Sequence, residues 1–346
     1  MRRIFVITAL AVLIMGGAGA LYAQRGGGRV QGETLEVKIA SPLPKESPWG
    51  RTLDRIAAEW SRITNGQVRL RVLHGGIEGG ENKMLLSMTS NTIQAAVFTS
   101  FGLSFINPAI MTMSAPFLIR TNDELSTVMK EVQPDLEAGL NSGEYFIVAW
   151  SKAGFVNVFS KDPVFVPDDL RKQKIASNAD AAEMNTAFKT MGFPVVETDW
   201  NDVGPKLATG AVMACYQNPA GVAAYQLHMY LKNMLSINIA PVLGGIVINQ
   251  VTWKKIGALN PQYQQDLLNS TRRIAGELDD SMQKTVSSAV SSMVKDGLKI
   301  NQPSPAQEQQ WYSDVERVIP TLLGTTYNRD LYQKINQVLT KFRGTR

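Results

Sequence analysis

Residues 167–219 read PDDLRKQKIASNADAAEMNTAFKTMGFPVVETDWNDVGPKLATGAVMACYQNP, and their alternation of short apolar runs with helical stretches decides the fold. A strand over 174–177 opens at Asn178 into a helix that stops near Gly192, since glycine ends a helix at no steric cost. A second strand over 194–197 leads to a helix over 202–209, with Pro205 in its first turn, where the missing N–H is harmless. Residues 211–216 supply a third strand, and Asn218-Pro219 opens a further helix reaching 230. Strands alternating with helices imply an α/β class, and ligands of such sheets sit where strand ends and helix N-termini meet. Asn178, Trp200, Tyr216, Gln217 and Asn218 stand at those ends.

Outward from this stretch the same grammar continues. Upstream, LEVKIA over 35–40 alternates as a strand, and the turn SPLPKESPWG with Trp49 near its end enters a helix. That helix places Leu53, Ile56, Ala57, Trp60 and Ile63 on one face and closes at Asn65-Gly66. Val68, Leu70 and Val72 alternate as the next strand. The glycine turn HGGIEGGE over 74–81 follows, then a helix over 82–92. AAVFT over 95–99 ends a third strand at Phe98 and Thr99, and a capped helix over 121–139 carries Pro134 as a candidate break. YFIVAW over 145–150 and KAGFVNVFS over 152–160 read as crossing strands that lead into the second half of the chain. Downstream, PVLGGIVINQV over 241–251 returns, 262–297 is one long helical pattern, and 306–342 gives further helices broken near 320–326.

Several of these motifs, in this order, resemble one family. S-P-W-G, a helix ending T-N-G-Q-V, the G-I-E-G-G-E turn, the P-D-D-L-R…K-I strand and the final N-P are similar to those of the solute-binding proteins of TRAP transporters, over about residues 33–300. The resemblance implies a two-domain periplasmic solute-binding protein with a hinge, a central cleft and a long helix spanning both domains. It implies residues 33–154 plus 244–283 as the first domain and 155–243 plus 284–346 as the second. It also implies capture of an organic solute in the cleft and its delivery to membrane permease subunits.

The chain departs from the family where charge is expected. The family's carboxylate-binding arginine falls at Ala176, and a second arginine position, after Gly154-Phe155, falls at Val156. The family's Q-E-N-P becomes Tyr216-Gln217-Asn218-Pro219, while the aromatic that stacks on the solute is retained as Trp200. A carboxylate buried without a bidentate cation would cost several kcal/mol, so the expected solute is neutral or hydrophobic. The expected contacts are Trp49, Phe98, Thr99, Val156, Ala176, Asn178, Trp200, Tyr216, Gln217 and Asn218. Loss of the arginine is shared with a subclass that works beside a tetratricopeptide-repeat partner protein, which makes such a partner an expectation here.

Composition sets the outer limits. The 346 residues are 44% hydrophobic and 19% charged, enough for two soluble domains with sizeable cores. Arg2-Arg3, an apolar run over 4–15 and small residues before 24 read as a signal peptide over 1–23, cleaved after Ala20 or Ala23, with 24–32 as a flexible leader. The net charge of +5, less those two arginines, leaves about +3, too diffuse for a nucleic-acid partner. The single cysteine, Cys215, excludes an internal disulfide. Two histidines without metal-ligand spacing, no nucleophile elbow and no complete phosphate-loop motif argue against an exported enzyme, and no metal or cofactor is expected. A sensor subunit presenting solute to a membrane receptor would share the fold and remains the alternative reading.

Overall fold

The computed structural model describes residues 34–178 and 181–345, with the backbone alone at Trp200 and Asn201. The predicted signal segment 1–23 and leader 24–32 lie outside the described residues. The first half runs β1 (Leu35–Ala40), α1 (Pro48–Ile63), β2 (Val68–Leu73), α2 (Glu81–Thr89), β3 (Ala95–Thr99), α3 (Ser100–Ser104), a 3-10 segment (Pro108–Ser114) and α4 (Asn122–Asn141). The hinge strand β4 (Tyr145–Ser160) crosses to α5 (Pro167–Arg171), β5 (Ile175–Ser177), α6 (Ala182–Thr190), β6 (Val195–Glu197), α7 (Trp200–Thr209), β7 (Ala214–Gln217) and α8 (Pro219–Ala224). After a 3-10 turn (Leu227–Met229) come β8 (Asn233–Leu235), the returning β9 (Ala240–Asn249), α9 (Gln250–Leu259), α10 (Pro261–Lys295), β10 (Lys299–Asn301), α11 (Pro305–Leu322) and α12 (Arg329–Gly344).

The strands lie in the order β2-β1-β3-β9-β4-β7-β5-β6, with β8 pairing β4 and β10. β1 is parallel to β2 and β3, and β5 is parallel to β6 and β7, so each half is a small α/β sheet. The antiparallel pair β4 and β9 joins them: β4 pairs β9 from Tyr145 to Val156 and then β7 from Asn157 to Ser160. The register of that pair shifts between Lys152 and Phe155, where Gly154 has φ +83°. A side chain is strained in that conformation, so glycine is required at the bulge where the halves meet.

α10 is the scaffold. It packs against α1, α8, α9 and β4, burying Leu267, Thr271, Ile274, Leu278, Met282 and Met293 along one stripe. Trp60 Nε1 donates to Thr271 Oγ1 at 2.8 Å inside this seam. Among the described residues no helix is long and apolar enough to cross a membrane.

Local expectations shifted in four places. α6 begins at Ala182, four residues after Asn178, whose carbonyl accepts Ala181 N–H at 3.0 Å and Asn185 Nδ2 at 2.9 Å. α7 begins at Trp200, so Pro205 is its sixth residue and lies beyond the first turn. The helix expected over 218–230 stops at Ala224, since Gln226 takes φ +54°. Pro134 does not break α4, whose stripe Val128, Val132, Leu136 and Leu140 stays buried throughout. The tail divides its contacts: α11 packs on α5 and α6, whereas α12 packs on α4 and the Pro108–Ser114 segment of the first half.

Candidate functional site

The strand ends of the two halves are built differently. On the second-domain side, Ser177 at the end of β5 donates its hydroxyl to Asn185 Oδ1 and lies 2.7 Å from Tyr216 Oη on β7. The Tyr216 ring meets Phe188 edge-on at 4.7 Å, and burial pushes its phenol up to about 12. Cys215 is fully buried next to it, and burial likewise pushes its thiol up to about 12, which leaves it an inert apolar group. Ala176 is wholly enclosed with Phe159, Val203, Leu207 and Cys215, so its methyl group faces the second-domain core.

Asn218 fastens this edge to the hinge. Its Oδ1 caps α8 by accepting Ala220 N–H at 2.9 Å, and its Nδ2 donates to the carbonyls of Ala153 at 2.5 Å and Phe155 at 3.4 Å. Gln217 turns back to accept Asn218 N–H at 2.8 Å. Both amides are thus engaged in structure. Val156 is half-buried on β4, opposite Ala240, and its carbonyl accepts Ile239 N–H at 3.0 Å.

The first-domain edge is more open and carries charge. Thr99, exposed at the end of β3, donates its N–H to Glu81 Oε1 at 2.5 Å and its hydroxyl to Glu81 Oε2 at 2.8 Å. Gly102 N–H adds a third bond to that carboxylate at 3.0 Å, so Glu81 caps the short α3. Phe98 is buried against Gly102, where a Cβ would stand 2.4 Å from the Phe98 ring. Trp49 is half-buried in the first turn of α1. Trp200 opens α7 at the end of the β6 loop, and its side chain lies outside the described residues. The structure therefore brings together Asn178, Tyr216, Gln217, Asn218 and Val156 around β5, β7 and the hinge, and sets Phe98 and Thr99 on the other half.

Arginines, the residues that pair a carboxylate in bidentate fashion, are scarce in the second domain. Residues 155–243 contain one arginine, Arg171. It is committed to Asp168 at 2.6 Å, to Asp314, and to the Met191 carbonyl at 3.0 Å. Near the hinge, Arg120 stacks over the Tyr312 ring at 3.5 Å and donates to the Phe117 carbonyl at 3.0 Å. A separate groove of about 320 Å³ lies between the hinge strand and α10, lined by Lys152, Gly154, Asn157, Asp279 and Gln283 among others. Asp279 there accepts Lys152 N–H at 2.7 Å and the Ser151 hydroxyl at 3.0 Å, while burial raises its pKa.

Two polar atoms escaped the sequence reading altogether. Tyr327 is 1% exposed and Glu183 is half-buried, and among the described residues neither Tyr327 Oη nor Glu183 Oε2 finds a hydrogen-bond partner. Nothing in the local sequence marks them, since Tyr327 is buried from the connector between α11 and α12 by tertiary packing.

Comparison with known proteins fits this architecture. Residues 39–323 match the model of the family described as bacterial extracellular solute-binding protein, family 7 (DctP). A curated solute-binding protein of Chromohalobacter salexigens is 22% identical over 264 residues, covering 75% of this chain and 76% of its own length. A crystal structure of a TRAP periplasmic solute-binding protein from the same organism, with bound D-glucuronate, superposes with a TM-score of 0.79 at 17% identity, covering 87% of this chain and 99% of that one. A TRAP periplasmic solute-binding protein from Sulfurospirillum deleyianum, with bound succinate, gives a TM-score of 0.74 at 20% identity, covering 88% of this chain and 99% of that one.

Proposed function

Because the chain belongs to family 7 of the bacterial extracellular solute-binding proteins, we propose that it is the extracytoplasmic solute-binding subunit of a TRAP-type secondary transporter whose cargo is a neutral or largely apolar small molecule. It binds that molecule between its two domains, in the periplasm, after export by the segment 1–23. It then delivers the cargo to a membrane permease, with a tetratricopeptide-repeat protein as a further partner. In this reading it binds and performs no catalysis.

The carrying observation is Ala176. The relatives from Chromohalobacter and Sulfurospirillum hold glucuronate and succinate. A buried carboxylate of that kind needs a charge-assisted, preferably bidentate, partner. Here the family's arginine position is a methyl group enclosed in the core, and the lone arginine of 155–243 is engaged by Asp168 and Asp314. Glu81 at the facing edge adds negative charge, which disfavours an acid further. Hinge closure around such a cargo uses β4 and β9 with Gly154 at the bulge.

The test is a thermal-shift and calorimetric panel on protein refolded free of endogenous cargo. Succinate and D-glucuronate at millimolar concentration should leave the melting midpoint unchanged, and neutral apolar alcohols should raise it. Micromolar binding of either acid would defeat the neutral-cargo reading and leave the family assignment intact. Co-purification of a tetratricopeptide-repeat protein on the tagged chain tests the partner separately.

A further inference from the structure

The groove of about 320 Å³ beside the hinge strand is within the size range of small-molecule sites, and three parts of the chain form its walls. β4 supplies Lys152 and Asn157, α10 supplies Asp279, Asp280 and Gln283, and the start of α4 supplies Asn122. Phe155 and Met282, both buried, add apolar surface. Asp279 is half-buried, and its Oδ1 accepts Lys152 N–H at 2.7 Å and the Ser151 hydroxyl at 3.0 Å. One carboxylate oxygen thus grips the hinge strand just before the Gly154 bulge, while Oδ2 accepts nothing among the described residues. Across the groove, Asn157 is 4% exposed and donates Nδ2 to the Ile237 carbonyl at 2.9 Å and to Asn238 Oδ1 at 3.3 Å. Two acceptors beside Nδ2 fix the amide this way round, and its Oδ1 is left without a donor among the described residues. A buried acceptor in that state is costly and calls for a partner. The Gln283 amide and the Asp280 carboxylate likewise bond no other described side chain. Two carboxylates face one lysine, Lys152, which forms an ion pair with neither, so the walls carry one net negative charge. The groove also reaches the Asn218 amide that fastens α8 to the hinge: a Cβ at Gly154 would stand 3.4 Å from Asn218 Nδ2 and 3.6 Å from Val286 Cγ2 in the groove wall.

We propose that this groove is a second binding site, apart from the cargo cleft, for a small hydroxyl-bearing primary ammonium ion, and that its occupant braces the hinge. The chemistry of the walls selects the group. An ammonium brings N–H donors and no acceptor, which suits Asp279 Oδ2 and Asn157 Oδ1, and its charge balances the excess carboxylate. Hydroxyls on the same molecule both donate and accept, which suits the Gln283 and Asn122 amides. A carboxylate would bring further acceptors to a groove already rich in them, and would face Asp279 and Asp280 charge to charge. Asp279 holds the strand at Ser151 and Lys152, and Asn218 holds it at Ala153 and Phe155. An occupant bonded to both Asp279 and Asn157 spans the Gly154 bulge between them and restrains the change of backbone angle there. None of this depends on the nature of the cargo.

The experiment titrates the full chain in a calorimeter with D-glucosamine, D-glucose and D-glucuronate, at a mildly acidic pH that keeps the amine charged. The three probes share a sugar ring and carry a positive charge, none and a negative charge. Glucosamine should bind at close to one per chain, and glucose about tenfold more weakly, the loss expected when a charge-assisted hydrogen bond becomes a neutral one. Asp279→Asn should weaken glucosamine about tenfold as well. Asp280→Asn, at an exposed position that leaves the hinge bonds intact, should weaken it about threefold. Lys152→Met should leave it unchanged or tighten it, since it removes a like charge. Saturation with glucosamine should slow amide hydrogen exchange in residues 151–157. Absence of glucosamine binding, or equal binding of glucose, would overturn the inference. So would binding that both aspartate variants leave unchanged, because the probe would then sit elsewhere. Preferred binding of glucuronate that Lys152→Met abolishes would overturn it too, assigning the groove to an acid. Exchange in 151–157 that binding does not slow would overturn the bracing role.

Discussion

The strand ends of the two halves solve the same problem in opposite ways. At the end of β3, Thr99 is exposed and a carboxylate, Glu81, collects three hydrogen bonds in the open. At the ends of β5 and β7 the groups are neutral, buried and bonded to one another: Ser177 to Asn185 and Tyr216, Asn218 to the hinge carbonyls. Under the proposed reading, a relative that holds an acid needs a cation at the second edge, a place this chain fills with packing while leaving negative charge at the first. On that reading selectivity lies in what the second edge excludes as much as in what it bonds.

Perturbing each edge separates them. The largest effect should come from Ala176→Arg, which drives a guanidinium into the layer of Phe159, Val203, Leu207 and Cys215. Overpacking with an unpaired buried charge should cost about 4 kcal/mol or more, and circular dichroism should report little folded protein. A folded variant that gains succinate binding would mean that the position opens to the cleft, and the contrast between the edges would collapse. Asn218→Ala removes the cap of α8 and both hinge bonds at a buried site. We expect a loss of about 3 kcal/mol in urea unfolding. A loss of less than about 1 kcal/mol, the size of a single ordinary hydrogen bond, would show that the hinge does not depend on this amide.

Alkaline pH probes the second edge without mutation. Cys215 and Tyr216 are held protonated by burial, both pushed up to about 12. Their stabilisation of the native state is complete below the unfolded pKa values and declines as pH rises through them towards the folded values. Stability should therefore fall by about 2 kcal/mol between about pH 7 and pH 10, chiefly from the thiol. Native Cys215 should resist thiol reagents over the same range. A flat stability profile, or a fast-reacting thiol, would show that the second edge is not sealed. The smallest effect belongs to Glu81→Gln, for which an exposed capping bond predicts about 1 kcal/mol. A cost equal to that of Asn218→Ala would make the two edges energetically alike.

The sequence already carried much of this. Alternation in LEVKIA, the short apolar run AAVFT, the P-D-D-L-R…K-I-A-S unit and the 35-residue pattern of α10 were legible from periodicity or from length and bounding residues. Motif order carried the resemblance to solute-binding proteins, and the family match over 39–323 agrees with it. What could not be read was which way a side chain faces. The three residues of β5 alternate so closely that Ala176 turns into the core while Ser177 turns to Tyr216. Asn218 looked free to greet a solute, but its amide is taken by two carbonyls distant in sequence. Tyr327 is buried through tertiary packing of the tail, and helical character alone could not place it.

One measurement bears most directly on the central claim: mass spectrometry of whatever is released when protein purified from its own periplasm is gently denatured. A neutral or largely apolar molecule, present at close to one per chain, is the predicted result. A carboxylate-bearing metabolite at that stoichiometry would contradict it, and would require a cation to reach the cargo from outside the positions of Ala176 and Val156.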